Sequence, residues 1–278
     1  MKGKIICINA SLHKVLLENN TIIDTKTRGK LRNEKVFPVV GDNVIVDVKN
    51  NTIEKILERK NYLERPLIAN IDKLLIVMST SIPVFSSYLI DKFLIIAYSN
   101  NIEPIIVITK TDMISLKEKN EIKKYISYYR KLGIKIYVNT SISKIKKEFI
   151  GSVVALCGQT GSGKSSLLNK IDASLSLKTG EVSLSLGRGK HTTRLVELLE
   201  VNGGLIADTP GFSSLELNIN KNEIKKYYKD FNKQCKYRTC LHVKEQGCEV
   251  IEMVNKNKIP LWRYDNYIKF IDEVNNKK

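Results

Sequence analysis

The chain has 278 residues, enough for two or more domains, and its hydrophobic content of 42% is ordinary for a folded globular protein. No apolar run approaches the roughly 18 residues of a membrane span, and five cysteines, an odd number, argue against a secreted disulfide framework. The formal net charge of +17 is spread along the chain and favours a polyanionic partner, although a lysine-rich proteome would give the same excess. We therefore expect a soluble, cytoplasmic monomer that does not bind membranes.

The first 65 residues contain five short runs rich in β-branched residues. The runs cover residues 4–9, 14–18, 21–25, 44–48 and 53–57. Five short strands separated by turn residues predict a small closed barrel, and an OB-fold or an SH3-like barrel would leave the same pattern. The connection after the third run is basic and either faces RNA or is an ordinary solvated loop. Its basic residues are Arg28, Lys30, Arg32 and Lys35.

A charged linker ends at Pro66, and the sequence pattern changes there. Continuous apolar runs predict strands that are buried on both faces of a parallel sheet, and segments with helical apolar spacing separate them. The predicted strands are 73–79, 104–108 and 134–138, and the predicted helices are 87–99 and 116–132. Alternating strands and helices predict a three-layer α/β domain.

A complete P-loop pattern follows an apolar run at 152–157 and precedes the first turns of a helix at 167–171. Its residues are Gly158, Gln159, Thr160, Gly161, Ser162, Gly163, Lys164, Ser165 and Ser166. The glycines allow backbone N–H groups to turn toward phosphate oxygens, and the helix N-terminus adds its positive dipole end. We expect Lys164 to contact the β- and γ-phosphates and Ser165 to bind Mg²⁺. The pattern predicts a nucleotide-phosphate site.

Two further segments match the base-binding loops of GTP-binding proteins. Thr109, Lys110, Thr111 and Asp112 directly follow a predicted strand, and Asn139, Thr140 and Ser141 follow the next one. A carboxylate at Asp112 can accept hydrogen bonds from N1–H and the 2-amino group of guanine, which adenine cannot offer. Many GTPases have Asn at the position of Thr109. We therefore expect Thr109 to lower the affinity for the nucleotide, while Asp112 retains the selectivity for guanine.

The segment after the P-loop supplies candidates for the two switch regions. Asp208 and Gly211 end a predicted strand, where the Asp would hold the Mg²⁺ shell and the Gly N–H would meet the γ-phosphate. Thr192 or Thr193 would complete the coordination of Mg²⁺. Phe212 cannot orient a water molecule, so His191 becomes the candidate for that role, with a plain RNA- or solvent-facing residue as the alternative.

The order of these motifs is unusual. In ordinary GTPases the P-loop comes first and the base-binding loops come last, whereas here residues 109–112 and 139–141 precede residues 158–165. The order predicts a circularly permuted GTPase. Its switch II segment then runs straight into an appended domain, which can respond to the γ-phosphate.

Three cysteines and one histidine cluster near the C-terminus. The set Cys235, Cys240, His242 and Cys248 offers three thiolates and one imidazole, for which tetrahedral Zn²⁺ is the natural occupant. Four protein ligands leave no open position, so we expect one structural zinc per chain. Cys7 and Cys157 lie in predicted strands, and we expect them to be core residues.

The basic barrel, the permuted motifs, the Gly-Arg-Gly-Lys-His-Thr-Thr segment at 187–193 and the Cys3His cluster together resemble the ribosome small subunit-dependent GTPase A family. The resemblance covers essentially the whole chain. It implies an OB-fold (residues 1–65), a circularly permuted P-loop GTPase domain (66–217) and a helical zinc-binding domain (218–278). It also implies late maturation of the 30S subunit, contact with 16S rRNA, and GTP hydrolysis stimulated by that subunit. The catalytic residues would be His191, Lys164 and Thr193.

Two other functions remain open from the sequence. One is a nucleotide-gated RNA-binding switch with negligible hydrolysis, which the Phe at position 212 favours. The other is a permuted GTPase of the large subunit, against which the barrel and the Cys3His cluster argue.

Overall fold

The computed structural model describes residues 1–28, 37–64, 66–175, 196–208, 217 and 219–275. The strands in these residues are β1 (Lys2–Asn9), β2 (Leu12–Leu17), β3 (Ile22–Thr27), β4 (Asn43–Asp47), β5 (Thr52–Ile56), β6 (Tyr62–Glu64), β7 (Leu67–Ala69), β8 (Lys73–Ser79), β9 (Glu103–Thr109), β10 (Lys135–Val138), β11 (Val153–Cys157), β12 (Glu197–Val201) and β13 (Gly204–Asp208). The helices are α1 (Ser87–Ser99), α2 (Leu116–Lys131), α3 (Ile142–Lys147), α4 (Lys164–Ile171), α5 (Lys221–Tyr227), α6 (Glu249–Asn255) and α7 (Leu261–Asn275).

The first five strands close into a barrel with the neighbour order β1-β2-β3-β5-β4-β1. All neighbours are antiparallel except β3 and β5, which run parallel. Ile5, Val15 and Ile53 are completely buried inside the barrel. This Greek-key order confirms the OB-fold and excludes the SH3-like alternative.

The second group of strands forms a mostly parallel sheet in the order β10-β9-β8-β11-β13-β12. The first five of these strands are parallel, and β12 joins antiparallel through a hairpin at Asn202 and Gly203. Cys7 of β1 pairs with Glu197 of β12 and so joins the barrel to this sheet. Parallel strands separated by helices confirm the predicted α/β domain.

The two faces of β8 contribute to different cores. Leu74, Ile76 and Met78 belong to a large cluster that includes residues of α1, α2 and α7. Leu75 and Val77 belong to a second cluster with residues of α4 and the segment before β11. Because successive side chains of a strand alternate between faces, a continuous apolar run is required here.

The segment predicted as a charged linker contains β6, which pairs antiparallel with β7 just beyond Pro66. Val40 of the barrel forms a bridge with Ile68, and the Arg59 guanidinium donates to the completely buried Asp42 carboxylate at 2.7 Å. Strands of three residues are too short to show a hydrophobic period, which explains why the sequence did not predict them.

The C-terminal helices pack against the α/β domain and share its core. Trp262 of α7 contacts the ring of Tyr125 on α2, with ring centroids 4.7 Å apart, and Phe270 stacks on Tyr88 of α1. Arg263 is buried between Asp91 of α1 and Asp230. The residues from α5 to α7 are therefore anchored to the α/β domain. Among the described helices, none combines the length and the apolar character that a membrane crossing needs.

Candidate nucleotide-binding site and metal centre

The predicted nucleotide motifs meet at one edge of the parallel sheet. Thr109 ends β9, Asn139 follows β10, Gly158 follows β11 and Asp208 ends β13. All four strands run in the same direction, so their carboxyl ends lie together at the edge where doubly wound sheets bind ligands. The structure thus brings the P-loop and both base-loop candidates to one place.

The glycines of the P-loop have backbone conformations with positive φ. Gly158 has a φ of +135°, and a Cβ at this position would lie 2.2 Å from the carbonyl oxygen of Val77 on β8. Gly163 has a φ of +94° and precedes the first residue of α4. Only glycine adopts these conformations without strain. The loop can therefore turn sharply from β11 into α4.

Lys164 lies across the P-loop. Its ammonium group donates to the carbonyl oxygens of Gly158 at 2.7 Å and Gln159 at 2.8 Å. Burial lowers the pKa of this ammonium group. The Ser162 hydroxyl and the Gln159 side-chain oxygen are buried and have no hydrogen-bond partner among the described residues. The Lys164 ammonium and the Ser162 hydroxyl can both donate hydrogen bonds, which suits an anionic ligand.

The base-loop candidate is attached directly to the P-loop. The Thr109 hydroxyl donates to the carbonyl oxygen of Ser162 at 2.6 Å and lies 3.3 Å from that of Met78. Lys110 has a φ of +57°, and Asp112 is exposed beyond it. The hydrogen bond from Thr109 to Ser162 therefore links the turn predicted to bind the base to the loop predicted to bind the phosphates.

The second base-loop candidate lies beside the first. Asn139 donates its N–H to the carbonyl oxygen of Ile108 at 2.8 Å, and its side-chain oxygen is buried without a partner in the described part of the chain. Thr140 is exposed, and Ser141 is partly buried and precedes α3. The segment therefore flanks the turn that carries Asp112.

Several predicted residues lie outside the residues that the structure describes. They are Lys30, Arg32, Lys35, His191, Thr192, Thr193, Gly211 and Phe212. The backbone of Asp208 is described at the end of β13, where the register pairs Ala155 with Ala207, but its side chain is not. The proposed switch and water-positioning roles thus rest on the sequence.

The four predicted metal ligands come together in one cluster. Their ligand atoms all lie within 4.8 Å of one another, and the site contains Cys235, Cys240, His242 and Cys248. His242 Nδ1 lies 3.5, 3.5 and 3.3 Å from the three sulfur atoms, and two of the sulfurs are 3.8 Å apart. A tetrahedral Zn²⁺ with Zn–S bonds of about 2.3 Å separates its ligands by about 3.5 to 3.8 Å. The cluster can hold a metal ion, and its dimensions fit zinc.

Residues outside the ligand set hold the loop that carries the ligands. The hydroxyls of Tyr264 and Tyr267 donate to the carbonyl oxygens of His242 and Leu241 at 2.8 and 2.7 Å. Burial alone would raise the pKa of the Glu245 carboxyl, but nearby backbone N–H groups, including that of Leu241, lower it to about 2. The sequence did not point to these residues, although tyrosines three positions apart on one helix face the same way.

The comparisons with known proteins agree with this geometry. A model of the RsgA N-terminal domain matches residues 2–55, and a model of the RsgA GTPase domain matches residues 55–218.

Relatives from several organisms carry the name small ribosomal subunit biogenesis GTPase RsgA. The protein of Geobacillus sp. (strain WCH70) is 43% identical over 100% of this chain and 98% of its own, and that of Staphylococcus carnosus (strain TM300) is 42% identical over 99% and 98%.

Two solved structures are similar along the whole length. YloQ, described as a circularly permuted GTPase, has a TM-score of 0.85 and 36% identity over 100% of this chain and 96% of its own. YjeQ from Thermotoga maritima has a TM-score of 0.85 and 33% identity over 98% of each chain. With the permuted motif order and the Cys3His cluster, these matches show that the chain belongs to the RsgA family of circularly permuted GTPases.

Proposed function

We propose that this GTPase binds GTP between the turn at 109–112 and the P-loop at 158–166, with guanine at Asp112 and the phosphates around Lys164. The observation that carries the proposal is the hydrogen bond from the Thr109 hydroxyl to the Ser162 carbonyl, which joins the two segments. A nucleotide bound across this contact would place its base at the turn and its phosphates at the P-loop. An aspartate at the base position selects guanine over adenine.

Within this site the remaining roles follow from the chemistry of the side chains. Ser165, Thr193 and Asp208 would hold Mg²⁺, which neutralises charge on the phosphates during transfer. The Gly211 N–H would meet the γ-phosphate, and Thr140 and Ser141 would border the base. We assign His191 the positioning of the attacking water and Thr193 the closing of the site, on the strength of the family resemblance.

The metal centre is proposed to hold one structural Zn²⁺ per chain. Three thiolates and one imidazole at tetrahedral spacing support zinc, and they leave no open coordination position for catalysis. The ion would fix the loop between α5 and α6 against α7.

The proposed partner is the maturing small ribosomal subunit, with 16S rRNA as the ligand of the basic surface, in the bacterial cytoplasm. The names of the relatives support the subunit, and the OB-fold and the charge of +17 support RNA. The protein would bind the particle with GTP and leave after hydrolysis.

The test is GTP turnover by the purified protein with and without 30S subunits, with ATP and 50S subunits as controls. We expect a slow basal rate that rises steeply with 30S subunits and no turnover of ATP. His191→Ala should abolish the stimulated turnover and leave GDP binding intact. A rate that does not respond to 30S subunits would contradict the proposed partner, and unchanged stimulation in the variant would remove His191 from the mechanism.

A further inference from the structure

The turn that carries Asp112 is held by Thr80, which directly follows the neighbouring strand β8. Thr80 is buried, and its N–H donates to the carbonyl oxygen of Thr109 at 3.1 Å. Its hydroxyl lies 3.1 Å from the same oxygen and 2.7 Å from the carbonyl oxygen of Lys110. These carbonyls belong to the peptide units on the two sides of the Lys110 Cα. Thr80 therefore contacts both peptide units whose relative rotation shapes the turn.

The turn needs such support because of its backbone conformation. Lys110 has a φ of +57°, in the left-handed region that residues with a side chain rarely adopt. The register of β8 and β9 ends with Ser79 beside Thr109, so sheet pairing does not reach Lys110. The Lys110 ammonium also donates to the carbonyl oxygen of Ile82, in the same segment as Thr80. The segment that follows β8 therefore holds Lys110 at its backbone and at its side chain.

Asp112 depends on this turn for its position. Its side chain is exposed, so packing in the core does not orient it. We infer that Thr80 is a positioning residue for guanine recognition, because its hydroxyl fixes the turn from which Asp112 reaches the base. The inference rests on the proposed role of Asp112 and assigns its support to a residue that matches no nucleotide-binding motif.

The test compares two nucleotides that differ at one contact. Inosine diphosphate lacks the 2-amino group of guanine, so it loses one of the two hydrogen bonds to Asp112. Calorimetric titration of the wild-type protein should show GDP binding about tenfold tighter than inosine diphosphate. Thr80→Val, which keeps the shape and removes the hydroxyl, should lower this ratio by about threefold or more. Thr80→Ser, which keeps the hydroxyl, should retain it.

A matched control and a second variant separate positioning from general stability. Thr25→Val removes another buried threonine hydroxyl, which donates to the His13 carbonyl at 2.9 Å inside the barrel, and should leave the nucleotide ratio unchanged. Thr80→Ala replaces Thr80→Val if the latter does not fold.

The possible outcomes distinguish the role of Thr80 from the proposed recognition of guanine by Asp112. Equal weakening of both nucleotides in Thr80→Val, with the ratio unchanged, would overturn the role of Thr80 and leave the guanine site standing. A wild-type ratio near one, or an Asp112→Ala protein that keeps the wild-type ratio, would overturn the guanine assignment itself and the inference with it.

Discussion

At Gly158 the backbone leaves no room for a side chain. Its φ of +135° disfavours every other residue, and an added Cβ would lie 2.2 Å from the Val77 carbonyl oxygen on the adjacent strand. We predict that Gly158→Ala displaces the start of the P-loop, weakens GDP binding at least about tenfold and destabilises the protein by about 1–3 kcal/mol. Calorimetric titration and thermal unfolding measure the two effects.

Gly151 provides a matched control for this change. It also has a positive φ, +64°, but no atom lies within 4 Å of its added Cβ. Gly151→Ala should cost about 1 kcal/mol of stability through backbone strain and leave GDP affinity as in the wild type. Wild-type affinity in Gly158→Ala would show that the close approach to Val77 does not shape the phosphate site.

Single residues also show how far the sequence alone can predict the site. Lys164 and the four metal ligands could be identified because each belongs to a pattern of fixed spacing. Thr80 could not, because its partners at positions 109 and 110 come from a different strand and are backbone atoms. The contact from Thr109 to Ser162 could not be predicted from the sequence either, because 53 positions separate the two residues. Contacts of this kind depend on the packing of the finished sheet.

Among the elements, the loop between α5 and α6 has few buried apolar residues of its own, and its metal ligands bring four positions between residues 235 and 248 together. We predict one zinc per chain by metal analysis. Removal by a strong chelator, or Cys248→Ser, should lower the unfolding temperature by about 5 °C or more, because metal binding and folding of the loop are linked. Cys157→Ser, at a buried cysteine in β11, should retain the zinc. Wild-type protein purified without any bound zinc would contradict the assignment.

The contact between α1 and α7 depends on a buried charge network. Arg263, 3% exposed, donates to Asp91 and to Asp230, and Tyr129 donates to Asp91 at 2.6 Å. Burial raises the pKa of the Asp91 carboxyl, and Arg263 opposes that shift. We predict that Arg263→Ala lowers the free energy of unfolding by about 3–5 kcal/mol, because it leaves buried carboxylates unpaired. Urea denaturation measures this change.

A surface ion pair gives the comparison for Arg263. Lys256 and Glu252 form an exposed pair on α6 and the turn after it, with 3.1 Å between charged atoms. Lys256→Ala should change the free energy of unfolding by no more than about 0.5 kcal/mol. If Arg263→Ala changed the free energy of unfolding by no more than this, the charge network would not be what holds α7 against α1.

The elements themselves were predicted unevenly. Strand β8 and helix α1 were predicted at their observed ends, since an apolar run and a helical period mark them clearly. The hairpin of β6 and β7 was missed, because it is held by contacts to the barrel, such as Val40 with Ile68, that no local period encodes. The charge network at Arg263 was missed for the same reason.

For the whole molecule, the pairing of the barrel with β12 bears on the proposed function. Cys7 of β1 pairs with Glu197, at the start of the hairpin that ends in Asp208. The proposed switch residues at 191–193 precede this hairpin in the sequence, and those at 208–211 begin at its last residue. If these residues respond to the γ-phosphate as proposed, the change occurs next in sequence to the strand that pairs with the barrel, and we expect RNA affinity to depend on the bound nucleotide.

The charge of the whole chain leads to the last prediction. If the basic residues contact rRNA phosphates, binding releases counterions and weakens as salt rises. For about six such contacts, affinity for 30S subunits in the presence of a non-hydrolysable GTP analogue should fall by about 10³-fold between 50 and 200 mM salt. Sedimentation of the complex at several salt concentrations measures the slope. GDP titration over the same range, which involves few charges, should change far less. A shallow slope for the subunit would mean that the positive charge reflects the composition of the chain and does not drive its binding to the ribosome.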